Sequence, residues 1–164
     1  MIASRLQIHK NRIYGYTLFE LIVSIGIISM VFGLAVAAYN TFNKRERLRQ
    51  TGLTLKSNLR FAQTKALSAE KPSTGCTTFM GMRVSFTAST YTIDHMCSEG
   101  VVGSSISVTL PTDITFSPIP TTFTYLPLSR TMSLATGQTV VLTNAVASYT
   151  LTLSRGGDIS DSAQ

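Results

Sequence analysis

The sequence predicts an α+β fold in which one long N-terminal α-helix packs on a C-terminal antiparallel β-sheet. Three observations lead to this prediction: an apolar run over residues 18–38, a helical repeat of apolar residues after it, and short alternating segments beyond residue 76. The 164 residues are 44% hydrophobic and 13% charged, with a mean hydropathy of +0.22. This composition excludes an intrinsically disordered chain and fits one globular domain with accessory segments.

The apolar run from Leu18 to Ala38 predicts a transmembrane helix. Its 21 residues contain one charge, Glu20, and as a helix they span roughly 30 Å, the thickness of a bilayer core. A cleaved secretory signal is the alternative, because small residues near Ala38 imitate its cleavage site. The helical pattern continues past this point without a break, which favours the transmembrane helix.

The second half of the predicted helix is amphipathic and covers residues 39–71. Its apolar or small positions recur in steps of four and three, which places them on one helix face: Leu48, Gly52, Leu55, Leu59, Ala62 and Ala66. We therefore expect one helix from about Leu18 to Ala69, with Pro72 and Gly75 after its end. The opposite positions carry the cations Arg49, Lys56, Arg60 and Lys65, which indicates a solvated face.

Net charge is distributed unevenly along the chain. The total is +6, yet residues 1–15 alone carry +3, residues 44–71 carry +6, and residues 72–164 carry −2. This balance argues against a globular domain that binds nucleic acid. The cations Lys44, Arg45, Arg47 and Arg49 follow the apolar run, where they could contact lipid phosphates or acidic faces of neighbouring subunits. They oppose Arg5, Lys10 and Arg12 under the positive-inside rule, so charge counting leaves the orientation open.

The C-terminal body, residues 72–164, is predicted to form short antiparallel strands. Thr, Ser and β-branched residues alternate there, and Pro and Gly residues separate the segments. The predicted strands are 82–86, 90–94, 105–110, 113–117, 123–126, 139–143 and 148–154. Tyr149, Leu151 and Leu153 would face the core, and this apolar face would cover the Leu55 and Leu59 side of the helix.

The stretch Gly15-Tyr16-Thr17-Leu18-Phe19-Glu20-Leu21-Ile22 resembles the prepilin signature of type IV pilins and type II secretion pseudopilins. The resemblance implies a leader peptide at residues 1–15, cleavage between Gly15 and Tyr16, N-methylation of Tyr16 and a transmembrane and assembly helix at 16–38. The mature chain would have 149 residues. Tyr16 and Phe19 depart from the usual residues at their positions, whereas Gly15 matches the residue the family needs most at the cut.

Glu20 is the fifth residue of the mature chain implied by this resemblance. In the family, the Glu at this position is thought to pair with the N-terminal amine of a neighbouring subunit, which would set the axial register. A carboxylate in lipid costs about 2.5–3.5 kcal/mol, and pairing removes much of that cost. The alternative is a Glu that only marks the membrane edge.

A narrower resemblance concerns residues 59–67, which are similar to the AR-x-x-A helix end of H-type minor pseudopilins and FimT-like minor pilins. Gln63 replaces the usual Arg. This likeness favours a minor structural subunit of a pilus or pseudopilus. The alternative is a filament-tip binding module for DNA, substrate or a surface, but Arg155 stands alone beside Gly156, Gly157 and Asp158, which argues against DNA.

The resemblance also implies a location and a set of partners. The chain would be a single-pass protein of the bacterial inner membrane, with a cytoplasmic N-terminus and a periplasmic or extracellular head that enters a filament. Its partners would be the prepilin peptidase and methylase, other pilin or pseudopilin subunits, the inner-membrane assembly platform and membrane lipid.

Cys76 and Cys97 are the only cysteines, and in an exported domain such a pair suggests a disulfide. Two buried thiols are the alternative. No local catalytic motif occurs, and His95 beside Asp94 is typical of a surface pair. Asp158 and Asp161 are too few oxygen ligands to predict a calcium site. We therefore expect no enzymatic activity, no cofactor and no metal.

Overall fold

A computed structural model of the protein describes residues 15–163. The predicted leader therefore lies outside the described residues except for Gly15. The chain divides into two compact units, one ending at Tyr39 and the other beginning at Asn40. The first unit is helical from Leu18, and the second contains the rest of this helix and all the strands.

Helix α1 comprises Leu18–Leu67, 50 residues in all. Thr17 caps its start, since the Thr17 hydroxyl accepts the Glu20 N–H at 3.2 Å. At the other end Ala69 adopts a left-handed conformation (φ 48°), and the Glu70 N–H donates to the Lys65 carbonyl at 3.2 Å. This turn satisfies the last carbonyls and ends the helix two residues before the predicted Ala69.

In the first unit, the large apolar side chains described along α1 are exposed, from Leu18 and Phe19 to Val36 and Tyr39. This part of the helix is long and apolar enough to cross a membrane, judged by length and composition. Its two serine hydroxyls donate to carbonyls one turn earlier, Ser24 to Glu20 at 2.7 Å and Ser29 to Ile25 at 2.8 Å. Both hydroxyl protons are thus used within the helix, as an apolar environment requires.

The second unit contains eight strands in two antiparallel sheets. The strands are β1 (Phe79–Phe86), β2 (Thr90–Cys97), β3 (Gly100–Thr109), β4 (Thr115–Phe116), β5 (Phe123–Tyr125), β6 (Gln138–Thr143), β7 (Ser148–Leu153) and β8 (Ile159–Ala163). One sheet has the order β3-β2-β1-β5, and the other has the order β4-β6-β7-β8. The prediction of antiparallel strands and a covering helix is confirmed, but there are two sheets rather than one.

One hydrophobic core joins α1 to both sheets. The predicted helix face is buried at Leu48, Leu55, Leu59, Ala62 and Ala66, and so are Tyr149, Leu151 and Leu153 of β7. Phe116 of β4 packs edge-on against Phe86 of β1, with ring centroids 5.3 Å apart, and so links the two sheets. Gly52 lies directly against the Tyr149 ring, so a Cβ at this position would overlap the ring.

Several strands differ from the prediction. β1 begins at Phe79 rather than at residue 82, β2 ends at Cys97 rather than at residue 94, and β4 is only Thr115–Phe116 where 113–117 was predicted. β3 begins at Gly100 rather than at residue 105, because the segment containing Gly100 and Gly103, which resembles a turn in sequence, pairs with the end of β2. β8 was not predicted, since its residues ISDSA have low β propensity. Tertiary contacts stabilise it, because it pairs with β7 from Tyr149 to Leu153 and because Asp161 bonds to the helix.

Candidate functional site

The segment that resembles the prepilin signature lies at the start of α1. Tyr16 is 82% exposed, and Thr17 and Glu20 form the first turn of the helix. The Glu20 carboxylate makes no hydrogen bond or ion pair within residues 15–163, so its only local stabilisation is the positive end of the helix dipole. A carboxylate in this position is free to accept a partner from another molecule.

Gly15 is not packed against any other described residue. A Cβ built at this residue would meet no atom within 4 Å. Packing against residues 15–163 therefore does not require glycine at this position.

A disulfide joins Cys76 to Cys97, with the two Cα atoms 5.5 Å apart. Hydrogen bonds reinforce the link, because the Thr77 N–H donates to the Glu99 carboxylate and the Thr78 N–H donates to the Ser98 hydroxyl, each at 3.3 Å. Hydrogen bonding from Thr77 lowers the pKa of Glu99 to about 2. The segment after the helix is thus fastened to the turn between β2 and β3.

A polar cluster that the sequence did not indicate connects the helix to the second sheet. Asp161 of β8 forms an ion pair with Lys56 of α1 and accepts the Tyr149 hydroxyl at 2.6 Å. Hydrogen bonding from Lys56, and then from Tyr149, lowers the pKa of Asp161, while burial and this carboxylate raise the pKa of Tyr149. Lys56 is therefore a structural contact and not part of a solvated face.

Gln63, which departs from the AR-x-x-A pattern, also has a structural role. Its side-chain amide donates to the Gly157 carbonyl at 2.8 Å and to the Arg130 carbonyl at 3.3 Å. These bonds hold the loops before β6 and before β8 against the helix. Gln63 supplies these contacts through the planar amide, without adding a charge.

His95 and Asp94 do not form a catalytic pair. They are consecutive residues of β2, opposite Met82 and Arg83 of β1, so their side chains point to opposite faces of the sheet. Asp94 is buried and forms a salt bridge with Arg83 at 3.1 Å. The expectation of an exposed His–Asp pair is therefore wrong.

Asp158 and Asp161 do not converge on a common point. Asp161 bonds to Lys56 and Tyr149, whereas Asp158 contacts Ser154, whose hydroxyl accepts the Asp158 N–H at 3.0 Å. Within residues 15–163 no group of three or more His, Cys, Asp or Glu side chains is placed to hold a metal ion.

The cations after the apolar run have mixed environments. Arg47 pairs with Asp113 at 3.6 Å and Arg49 with Glu46 at 3.8 Å, and both arginine side chains remain 61% exposed. Lys44 and Arg45 are exposed and form no ion pair with any described residue. This region therefore keeps free positive charge at the surface.

Comparisons of the chain with protein-family models, with curated proteins and with solved structures found no match. The function is accordingly inferred from the residues and from their arrangement.

Proposed function

We propose that this protein is a structural subunit, and a minor one, of a type IV pilus or of a type II secretion pseudopilus. It is made as an inner-membrane prepilin, cut after Gly15, methylated on the amine of Tyr16 and assembled into a helical filament. The observation that carries the proposal is the order of parts along α1: the prepilin-like segment at its start, then an exposed apolar stretch, then a face buried by the head.

The exposed apolar stretch of α1 supports the proposal that the subunit moves from the membrane into a filament, since both are apolar environments. Side chains such as Leu21, Ile28 and Phe32 have no cover within the described chain. In the membrane, lipid tails would surround them, and in a filament, the same helices of neighbouring subunits would replace the lipid. Because both surroundings are apolar, transfer from one to the other leaves the hydrophobic contribution nearly unchanged.

Glu20 is the residue that would make this transfer specific. In the membrane its carboxylate lies near the bilayer edge without a partner from its own described chain. In the filament it pairs with the Tyr16 amine of a neighbour, which exists only after cleavage. Pairing two otherwise unpaired charges in an apolar bundle favours one axial register over others.

The partners follow from this proposal. A prepilin peptidase and methylase act on Gly15 and Tyr16, an inner-membrane assembly platform inserts the subunit, and other pilin or pseudopilin subunits surround it. The N-terminus is cytoplasmic, and the head lies in the periplasm or outside the cell.

N-terminal sequencing of the protein, expressed with and without a prepilin peptidase, tests the proposal. We expect a chain that begins at Tyr16 only when the peptidase is present. Gly15→Val should block cleavage, whereas Gly26→Val, at another glycine whose Cβ would meet no atom within 4 Å, should be cleaved normally. Retention of residues 1–15 with active peptidase, or cleavage after Ala38, would contradict the proposal. Counting subunits in sheared filaments then tests whether this one is minor.

A further inference from the structure

Four cations lie within six residues of α1, at Lys44, Arg45, Arg47 and Arg49, and we call this cluster the basic rim. Two carboxylates lie beside it, Glu46 and Asp113, each engaged with one arginine. The rim therefore has an excess of positive charge, whereas residues 72–164 carry a net charge of −2.

The rim covers somewhat more than half of the helix circumference rather than a single face. Successive residues of an α-helix are about 100° apart, so the four side chains point to more than one side. Lys44 and Arg47 line a groove with Thr112 and Asp113. Arg45 and Arg49 line a different groove of about 310 Å³, whose apolar wall includes Phe42, Ala147 and Tyr149.

The head is fastened to the helix at this level. Asn144, in the turn between β6 and β7, donates its side-chain amide to the Lys44 carbonyl at 2.9 Å. Asp113, in the loop before β4, reaches Arg47. The rim is thus a fixed end of the folded head, where a turn of the second sheet and the loop that joins the two sheets meet the helix.

The distance of the rim from the apolar run suits a membrane surface. Lys44 follows Ala38 by six residues, which is about 9 Å along the helix. Headgroups occupy roughly 5–8 Å on each side of the hydrocarbon core, and helical side chains tilt toward the N-terminus. Lys44, Arg45 and Arg47 can therefore reach back to lipid phosphates. Phe42, two residues nearer the run, is an exposed aromatic residue at this level of the helix.

We propose that the basic rim binds the phosphates of anionic lipids and holds the head against the membrane surface before assembly. The inference rests on the proposed function, since it requires the apolar part of α1 to span a membrane. A lipid surface fits the rim because phosphates can approach the helix from every side, so cations spread over more than half of its circumference can all be engaged. For the subunit to leave the membrane, the rim would then have to release the phosphates, and the apolar helix would have to leave the lipid.

Fluorescence of the full chain reconstituted in vesicles tests this inference. The protein has no tryptophan, so Phe42→Trp introduces a single reporter at the rim, and Phe61→Trp places a control reporter farther along the helix. The vesicles contain either phosphatidylcholine alone or equal parts of phosphatidylcholine and phosphatidylglycerol, with brominated chains as the quencher. We expect phosphatidylglycerol to increase quenching at position 42 and not at 61, and added salt to reverse the increase.

Paired variants assign the effect to the rim. Lys44→Gln with Arg45→Gln removes two cations that have no ion-pair partner in the described chain, and it should lower the docking equilibrium about 30-fold. Arg130→Gln with Arg155→Gln removes the same charge from exposed loop positions and should have little effect. An equal effect of both pairs, or equal quenching in the two lipids, would overturn the inference. So would a signal that depends on the number of protein copies per vesicle, since that would indicate a contact between subunits.

Alkaline extraction of the same vesicles separates this inference from the proposed function. A chain that stays in the membrane but shows no response to phosphatidylglycerol contradicts lipid binding by the rim and leaves the proposed function standing. A chain that is extracted contradicts the membrane helix and the lipid-binding rim together.

Discussion

Glu20 combines two physical roles at one residue. With Thr17 it forms the first turn of α1 in the spacing of a capping box, and a carboxylate there is stabilised by the helix dipole. A glutamine could take the same position in a capping box but would lose the attraction of the charge to the helix dipole, about 0.3–1 kcal/mol. The proposed pairing with a neighbour's amine requires the charge, so the two roles can be separated by substitution.

We predict that Glu20→Ala and Glu20→Gln both reach the membrane and fold but enter filaments poorly. Membrane insertion should be unchanged or improved because the cost of the charge in lipid is removed. The measurement is the amount of each variant in sheared filaments at matched membrane levels. Thr17→Ala serves as the control, since it removes only the cap, worth about 1 kcal/mol, and should still be incorporated. Normal incorporation of both Glu20 variants would refute the pairing role and leave the pilin proposal standing.

Glu99 is expected to contribute to the acid stability of the head through one hydrogen-bonded turn. Its pKa is lowered from 4.5 to about 2, chiefly by hydrogen bonding from Thr77. A depressed pKa in the folded state adds stability above the unfolded value, and this contribution is lost as pH falls through the folded value. The loss should therefore occur between about pH 4.5 and pH 2.

The corresponding prediction is that Glu99→Gln flattens the pH dependence of unfolding in this window. Urea unfolding at a series of pH values measures it, with Glu70→Gln as the control. Glu70 pairs only with Lys65 on the exposed end of the helix. If the parent and Glu99→Gln lose stability in parallel as pH falls, the hydrogen-bonded turn does not control acid stability.

At the scale of elements, the approach of α1 to β7 depends on a missing side chain. Tyr149 is fully buried over Gly52. Its hydroxyl donates a hydrogen bond to Asp161, which also forms an ion pair with Lys56. The ring thus fills the space that a side chain at position 52 would need. The glycine costs about 1 kcal/mol of helix propensity relative to alanine, and the tyrosine contact offsets it.

Gly52→Ala should therefore destabilise the head by about 1–3 kcal/mol, because the Tyr149 ring must move in a packed core. The measurement is the free energy of unfolding of the full chain in detergent. Gly26→Ala is the matched control, since a Cβ there meets no atom within 4 Å and should be tolerated. A Gly52→Ala variant as stable as the parent would show that the helix and sheet can separate at no cost.

At the scale of the whole molecule, the covalent link between Cys76 and Cys97 closes a loop with a sequence separation of 21 residues. This loop contains β1 and nearly all of β2, and it joins the segment after α1 to the first sheet. Because the cross-link limits the unfolded chain, it stabilises the fold without requiring further packing.

Replacing both cysteines by serine should lower the free energy of unfolding by about 3 kcal/mol in the chain-entropy model. Urea unfolding with and without a reductant measures this change. The reductant should destabilise the parent by a similar amount and leave the double variant unchanged. Equal stability of the parent in both conditions would mean that the link adds little to the folded head.

The helix and the general α+β class could be predicted from the sequence because they depend on local periodicity. The steps from Leu48 to Ala66 define a buried face, and alternation at Tyr149, Leu151 and Leu153 defines a strand face, without knowledge of their partners. The helix ends two residues before the predicted Ala69 because a left-handed turn forms at this alanine, whereas the prediction relied on Pro72 and Gly75 to end the helix.

The sequence by itself determined the long helix, its apolar first half, its buried second face and the positions of most strands, since each depends on residues close in the chain. The tertiary structure alone decided the division into two sheets, the existence of β8 and the contacts of Lys56, Gln63 and Asp94. These features depend on residues as far apart as Lys56 and Asp161, which are separated by 105 positions. No local pattern encodes such pairs, because their free energy arises only when packing brings the elements together.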